Sequence, residues 1–561
     1  MEAPLLVKAD RSLLLDMSHP DAASLRTMLG NCAELIKNPG RLYLYRLTAC
    51  SLWGAAAQGL RSDDVLRFLE THSRHELFDS VQAFVRREMD RYGRLRLLLQ
   101  EGRLILAAEE EGWLRRVLAL PDMSPLLLPL DDRHAEVPAD KRGIVKRELT
   151  RLGYPVVDEA GFHAGEPVLM RLETSREEGF ALRTYQAEAV QAFSREGSRH
   201  GGSGVIVLPC GAGKTVVGIA VMARLGCATL ILTPNVASIR QWKRELLART
   251  NLSEELIGEY SGERKDVRPV TLATYQILTH RKNKDAPFCH MQLFKERDWG
   301  LIIYDEVHLL PAPVFRVTAD IQATRRLGLT ATLLREDGCE EDVFSLIGPK
   351  LYEQPWRELE QSGHLAKLEA CEIRIPLEGD VRSAYEEAKP RARFRIASEN
   401  PQKLKAAEAL LRKHEGEPTL VIGHFLSQLR TVAHLTGSPL ITGSTPHEER
   451  ERLYGDFREG RTKRLVVSRV ANFAIDLPEA QVAIELSGSY GSRQEETQRI
   501  GRIIRPKRNG SGARFYTLVS EDTIELTFAQ KRRLFLAGQG YQYHVVEQAE
   551  WEEEEGSCNR E

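Results

Sequence analysis

From Gly204 to Val519 the chain alternates short apolar runs with amphipathic helical stretches, and that alternation leaves few folds open. Val205-Ile-Val-Leu, Thr229-Leu-Ile-Leu, Val270-Thr-Leu-Ala, Leu301-Ile-Ile-Tyr and Leu327-Gly-Leu-Thr come first. A Pro/Gly-punctuated region at 348–400 interrupts the pattern, which resumes with Leu420-Val-Ile-Gly, Leu440-Ile-Thr, Leu465-Val-Val-Ser, Val482-Ala-Ile-Glu-Leu and Tyr516-Thr-Leu-Val. Runs apolar on both faces belong in a sheet covered on both sides, and intervening helices make right-handed crossovers between parallel strands. The pattern predicts two successive α/β domains behind an N-terminal module.

The module reads as helices and short strands. Asp64-Val-Leu-Arg-Phe-Leu-Glu gathers Val65, Leu66, Phe68 and Leu69 on one helix face, with Ser62 or Asp63 placed to cap it. A second helix carries Val81, Phe84, Val85 and Met89 and stops at Gly93, and a hairpin is expected across Gln100-Glu-Gly-Arg. Helix, helix and hairpin suit a winged-helix-like unit; a packing domain with no ligand fits as well. A polar, proline-containing connector follows at 129–141. No signal peptide is visible, no window approaches eighteen uninterrupted apolar residues, and the eight cysteines are scattered without a Cys-x-x-Cys pair. A cytoplasmic protein with free thiols and no membrane partner is expected.

The chemistry begins at Pro209-Cys-Gly-Ala-Gly-Lys-Thr, between an apolar run and a helix through Val217, Ala220 and Val221. Glycines there let backbone N–H groups approach phosphates, and the helix N-terminus adds its positive end. Lys214 is placed for the terminal phosphates and Thr215 for Mg2+. The strict loop pattern has glycine where this chain has Leu208. Downstream, Leu301-Ile-Ile-Tyr-Asp-Glu-Val-His ends an apolar strand in two carboxylates: Asp305 for Mg2+ and Glu306 as general base on water. Near the C-terminus, Gln498-Arg-Ile-Gly-Arg-Ile-Ile-Arg sets Arg499, Arg502 and Arg505 three residues apart on one helix face. Arginines reaching from a second domain stabilise charge on a transferred phosphoryl group. A split site for ATP hydrolysis is the leading reading.

Taken in order, Arg183-Thr-Tyr-Gln, the Lys214 loop, Thr233-Pro-Asn, Asp305-Glu-Val-His, Gly328-Leu-Thr-Ala-Thr, Ile475-Asp-Leu-Pro and the Gln498 motif resemble superfamily 2 helicases. Leu329-Thr-Ala-Thr-Leu-Leu-Arg-Glu-Asp and Gly488-Ser-Tyr-Gly-Ser-Arg-Gln-Glu-Glu resemble the XPB-type DNA helicases in particular. The resemblance implies two tandem RecA-like parallel-sheet domains preceded by an α+β N-terminal helicase-associated domain. Its expected bounds are 1–135 for that domain, 136–180 for a connector, 181–350 and 401–546 for the motor domains, 351–400 for a linker with a shortened thumb-like segment, and 547–561 for a solvated acidic tail.

The resemblance also implies roles. Arg183 and Gln186 would contact adenine; Cys210, Gly211, Ala212, Gly213, Lys214 and Thr215 would cradle phosphate; Asp476, Gln498 and Arg499 would complete nucleotide binding. Arg502 and Arg505 would be finger arginines. His308 would link ATP state to Thr330 and Thr332, and Arg335, Glu336 and Asp337 would assist DNA opening. A buried core histidine and a local ion-pair cluster are the plain alternatives for His308 and for Arg335-Glu-Asp. The expected function is a 3′-5′ DNA helicase or translocase using ATP and Mg2+. Its rivals are a double-strand translocase that separates no strands and an ATP-gated scaffold for a nuclease or repair partner.

Net charge is −2, which argues for no polyanionic partner until its distribution is read. Six Glu between 547 and 555 carry the acidic excess; without them the remainder is +4. From Arg493 to Arg514 the chain is strongly basic. Thr233-Pro-Asn, Thr274-Tyr-Gln, His424-Phe-Leu-Ser and Thr442-Gly-Ser-Thr are the expected phosphate-contacting loops.

Overall fold

The computed structural model describes residues 3–37, 42–173, 181–194, 201–283, 286, 288–311, 314, 321, 324–331, 340–468, 480–487, 512–538 and 542–551. The chain forms two compact units. The first takes in Met1–Ile36, Arg41–Pro209 and Gly213–Gln354, and the second Pro355–Glu561 with the short stretches Lys37–Gly40 and Cys210–Ala212.

The first unit opens with two small cores. One is a four-stranded sheet, ordered Leu5–Val7, Ser12–Asp16, Leu42–Arg46, Glu34–Lys37, with helices Ala22–Cys32, Ala49–Ala57, Ser62–His72 and Asp79–Arg91. Val65, Leu66 and Leu69 from the third helix and Val81, Phe84, Val85 and Met89 from the fourth close this core. The third helix is preceded by Arg61, whose N–H donates to the Asp64 carboxylate; Ser62 donates to Asp90 instead of capping. The expected hairpin, Leu95–Gln100 with Arg103–Ala108, turns through Glu101 and Gly102, both at positive φ as a two-residue hairpin loop requires. It opens a second core, so the two helices and the hairpin do not make one winged-helix unit. This second sheet runs Leu128–Pro129, His134–Val137, Arg103–Ala108, Leu95–Gln100, Val156–Asp158, with helices Glu111–Leu118 and Arg142–Arg151. Much of the stretch read as connector is therefore folded: Val137, Val145 and Leu149 lie in this core.

Then come the two parallel sheets. The first is ordered Ile257–Tyr260, Val270–Thr274, Thr229–Thr233, Leu301–Asp305, Arg325–Thr330, Ser203–Val207, Lys350–Glu353. The second is ordered Leu440–Ile441, Arg464–Val467, Thr419–Ile422, Val482–Glu485, Ala513–Ser520, Leu368–Ile375, Gln542–Glu547. Numbered within each domain, both read 3-4-2-5-6-1-7, and neighbouring strands are parallel throughout. The two domains are the tandem RecA-like sheets expected.

Register makes the domains comparable residue by residue. Thr229 pairs with Leu301 and Leu301 with Arg325; Thr419 pairs with Val482 and Val482 with Arg514. Counting along the strands, Asp305 corresponds to Leu486, Glu306 to Ser487, and Pro209 to Pro376. The second domain has no carboxylates at these positions, and its edge is plugged. Fully buried Lys403 donates to Glu525 at 2.6 Å and to the Leu486 carbonyl at 3.1 Å, and Asn400 donates to the Pro376 carbonyl and to Ser520. Ser398 and the Ser520 N–H complete the shell around Glu525.

The expected solvated tail is corrected at its start. Gln542–Glu547 is a strand, and Trp551 is buried in the second-domain core with the Lys413 ammonium over its ring. Burial there removes the large apolar surface of the Trp551 indole from water.

Replacing Lys403 with Met leaves the Glu525 carboxylate buried without its cation, and the expected cost is about 3–5 kcal/mol of second-domain stability. Denaturant unfolding measures it, and Lys403→Met combined with Glu525→Leu should recover most of the loss.

Candidate ATP-hydrolysis site

Leu208 directly follows the strand Ser203–Val207 and is wholly buried, its N–H donating to the Thr330 carbonyl. The departure from the strict loop pattern thus falls on a core position. Gly211 and Gly213 both adopt positive φ, which a side chain rarely tolerates, and Gly213 starts the twelve-residue helix Lys214–Leu225. A Cβ at Gly213 would lie 2.5 Å from the Gln186 side-chain nitrogen. Gln186 is buried against this turn, and its carbonyl oxygen accepts the Arg183 N–H at the start of helix Thr184–Ser194. Arg183 also donates to the Tyr185 hydroxyl.

Strand Leu301–Asp305 delivers the carboxylates to the same sheet edge. Glu306 follows in a left-handed conformation, φ 51°, a strained backbone for a non-glycine residue. That turn brings its carboxylate 3.1 Å from the Lys214 ammonium. Burial alone would raise Glu306, but Lys214, and His308 after it, hold it below the usual carboxylate range. Burial, then the Glu306 charge, pushes its neighbour Asp305 up to about 6. Two adjacent buried carboxylates with opposite shifts give one kept ionised and one that favours a cation beside it.

Three further groups complete the site. His308 is buried, its Nδ1 2.7 Å from the Thr330 hydroxyl and 3.5 Å from Glu306. The Ala331 N–H also hydrogen-bonds the Glu306 carboxylate. Two residues unforeseen from the sequence hold Asp305: Trp242 donates its indole N–H to Oδ2 at 3.0 Å, and Tyr275 donates its hydroxyl to the Asp305 carbonyl at 2.9 Å. Gly218, inside the Lys214 helix, makes the Trp242 position possible, since a Cβ there would stand 2.6 Å from the indole. A glycine in a helix interior was the available signal.

The residues present fit a magnesium-nucleotide. A glycine turn and a long helix N-terminus provide donors for phosphate, Lys214 a cation, and Asp305 and Thr215 oxygen ligands for a hard metal. Thr332, Arg335, Glu336, Asp337, Asp476, Gln498, Arg499, Arg502 and Arg505 lie outside the described residues. At the other loops, Asn235 caps helix Val236–Arg249, Thr274 caps Tyr275–Leu278, and Thr442, Ser444 and Thr445 hydrogen-bond one another. Arg514, the last of the basic run, is paired with Glu417.

Residues 359–560 match the ERCC3/RAD25/XPB C-terminal helicase family, 179–335 the family described as type III restriction enzyme, res subunit, and 5–131 the one described as helicase conserved C-terminal domain. A protein of Kineococcus radiotolerans named DNA 3′-5′ helicase XPB is 48% identical, over 97% of this chain and 97% of that one. The chain belongs to the XPB family of superfamily 2 helicases. It is accordingly an ATP-dependent DNA helicase, a hydrolase. A Mycobacterium tuberculosis protein of the same name is 47% identical, covering 97% of this chain and 98% of its own length. The family extends to Antonospora locustae, whose general transcription and DNA repair factor IIH helicase/translocase subunit XPB is 35% identical over 97% of this chain and 82% of its own. Among the described residues no helix is long and apolar enough to cross a membrane.

Trp242→Phe removes the donor to Asp305 while keeping an aromatic ring in place. The Mg2+ concentration for half-maximal ATP turnover should rise about tenfold or more, as outer-sphere losses at metal sites do. A Mg2+ titration of nucleotide binding and of turnover reads the effect, and an unchanged requirement refutes the role.

Proposed function

We propose that this chain is a 3′-5′ DNA helicase of the cytoplasm whose first motor domain, 181–350, binds ATP and whose second, 401–546, supplies Arg502 and Arg505 to it. The Lys214–Glu306 contact at 3.1 Å carries the reading, because it puts a phosphate-binding ammonium and a water-activating carboxylate within one hydrogen bond of each other. Lys214 exchanges Glu306 for the terminal phosphate oxygens of arriving ATP. Freed from the ammonium, Glu306 accepts the proton of the attacking water, and its left-handed backbone fixes where that proton goes. Mg2+ at Thr215 and Asp305 would neutralise phosphate charge.

Arg183 and Gln186 recognise adenine in this scheme, and Cys210 to Gly213 wrap the phosphates. Asp476, Gln498 and Arg499 complete the pocket. His308 reports the state of Glu306 to Thr330 through a 2.7 Å contact, and Thr332 with Arg335, Glu336 and Asp337 carries that report to DNA. Backbone groups of the Thr233, Thr274, His424 and Thr442 loops grip DNA phosphates, since the Thr233, Thr274 and Thr445 hydroxyls are already engaged in hydrogen bonds within the protein. The polarity and the repair and transcription setting follow the relatives' names; a nuclease or another repair protein is the partner class expected.

Lys214→Ala should lower ATP turnover by about 10²–10³ through lost phosphate stabilisation. Glu306→Gln should lower it by about 10²–10⁴ while nucleotide binding persists. Steady-state ATPase with nucleotide-binding measurements on forked and 3′-overhang DNA separates the two, and wild-type turnover from either variant sinks the assignment.

A further inference from the structure

Strand Thr419–Ile422 of the second parallel sheet is followed by Gly423, His424 and Phe425, and Phe425 stands at the N-cap of helix Leu426–Thr436. Thr229 and Thr419 occupy the same place in their sheets, so the first-domain counterpart of Phe425 is Asn235. Asn235 does what an N-cap residue does: its side-chain oxygen accepts the Ser238 N–H at 3.0 Å. Phe425 has no acceptor to offer, and its helix goes without a side-chain cap. A phenyl ring at that position serves something other than the helix.

The ring is firmly held. The His424 N–H donates to the Ser487 hydroxyl at 2.7 Å, and Ser487 is the counterpart of Glu306, so Phe425 sits at the edge of its sheet that carries the acidic pair in the first domain. Buried Phe394 lies 5.9 Å from Phe425 and 5.8 Å from Phe528, and the His424 ring meets Phe425 at 4.8 Å and 72°. Rings at such separations attract edge to face. The exposed Arg395 places its guanidinium 5.8 Å from the Phe425 centroid. Glu399 fixes it there, accepting from Arg395 at 2.6 Å and also from the Ser427 hydroxyl. Phe425 itself remains half-buried, and Leu426 beside it is 40% exposed.

A loop that takes hold of phosphates uses backbone N–H groups and cations and has no need of an aromatic ring. Phenyl rings and guanidinium planes are instead the groups on which unpaired bases stack. In a duplex both faces of each base are already covered by its neighbours. We propose that Phe425, together with Arg395, stacks one base of single-stranded DNA and so favours the separated strand over the duplex. This contact rests on the reading of the His424 loop as a grip on DNA phosphate; what it adds is an attachment that ignores phosphate and requires an unpaired base.

The test titrates the full chain and its Phe425→Leu, Phe425→Trp and Arg395→Gln variants with three DNAs over a range of salt, beside each variant's melting temperature. The DNAs are a labelled single strand of mixed sequence, the same strand made abasic throughout, and the matching duplex. Phe425→Leu keeps apolar bulk against Phe394 and removes the π face. It should weaken single-strand binding about five- to 150-fold, the worth of one base–aromatic stack, and leave duplex binding within about twofold. The slope of log affinity against log salt should stay as in the wild type, because no phosphate contact is lost. Phe425→Trp should retain the single-strand affinity, and Arg395→Gln should lose part of it. On the abasic strand the wild type and Phe425→Leu should bind alike. If Phe425→Leu does not fold, the exposed Arg395→Gln change must by itself show a loss that vanishes on the abasic strand. An unchanged single-strand affinity, an equal loss on the duplex, or a loss that persists on the abasic strand overturns the proposal. Wild-type DNA binding that ignores salt overturns the phosphate-grip reading instead, which the comparison of normal with abasic strand does not measure.

Discussion

The ammonium of Lys214 against the carboxylate of Glu306 is the interaction on which the rest of the first motor domain depends. Neither group is tolerable alone at that depth, because an uncompensated buried charge costs several kcal/mol. Their meeting requires a glycine turn at positive φ on one strand and a left-handed glutamate at the end of another, two strands away in the sheet. Both backbone features cost free energy, and the contact offsets that cost only while the sheet register holds. Trp242 and Tyr275 act on the adjoining Asp305 for the same reason: a carboxylate raised to about 6 by its surroundings keeps its place through fixed donors.

The second domain shows what the same topology becomes without that pair. Strand order is identical, and Pro376 stands where Pro209 does, yet Leu486 and Ser487 replace the acidic pair. Lys403 and Glu525 then fill the edge from within, with each polar atom of the pair given a partner. A nucleotide would have to displace a buried ion pair to bind there. The duplicated topology thus carries the acidic pair in one domain and a filled edge in the other.

How legible this was depends on which physical signal each part left in the sequence. Strands such as Leu301–Asp305, buried along their whole length, read as unbroken apolar runs and were foreseen. Leu368–Ile375 was not, because it alternates with Glu369, Glu372 and Arg374; Glu372 is buried nonetheless, its carboxylate held by Tyr543. Edge strands Lys350–Glu353 and Gln542–Glu547 carry too much charge to announce themselves. At the site, Lys214, Asp305 and Glu306 were visible because strand ends and glycine turns place chemistry at one edge, and His308 entered only through the family resemblance. Trp242 went unread: a tryptophan on an amphipathic helix is ordinarily core, and the interior glycine Gly218 was the one signal that distinguishes this one.

The N-terminal cores attach at the edge of the first parallel sheet opposite the nucleotide. Arg325 and Arg326 begin their strand, Thr330 ends it, and six residues of extended chain span about 20 Å. A strand paired on both sides cannot slip by one residue without turning every side chain to the other face, so it transmits position rather than absorbing it. Guanidinium bonds to Leu346 and Ser203 at one end and the Thr330–His308 contact at the other make this strand a strut between the accessory cores and the hydrolysis site. Fastening at the strand start places these guanidinium bonds at the opposite end of the strand from Thr330 and His308.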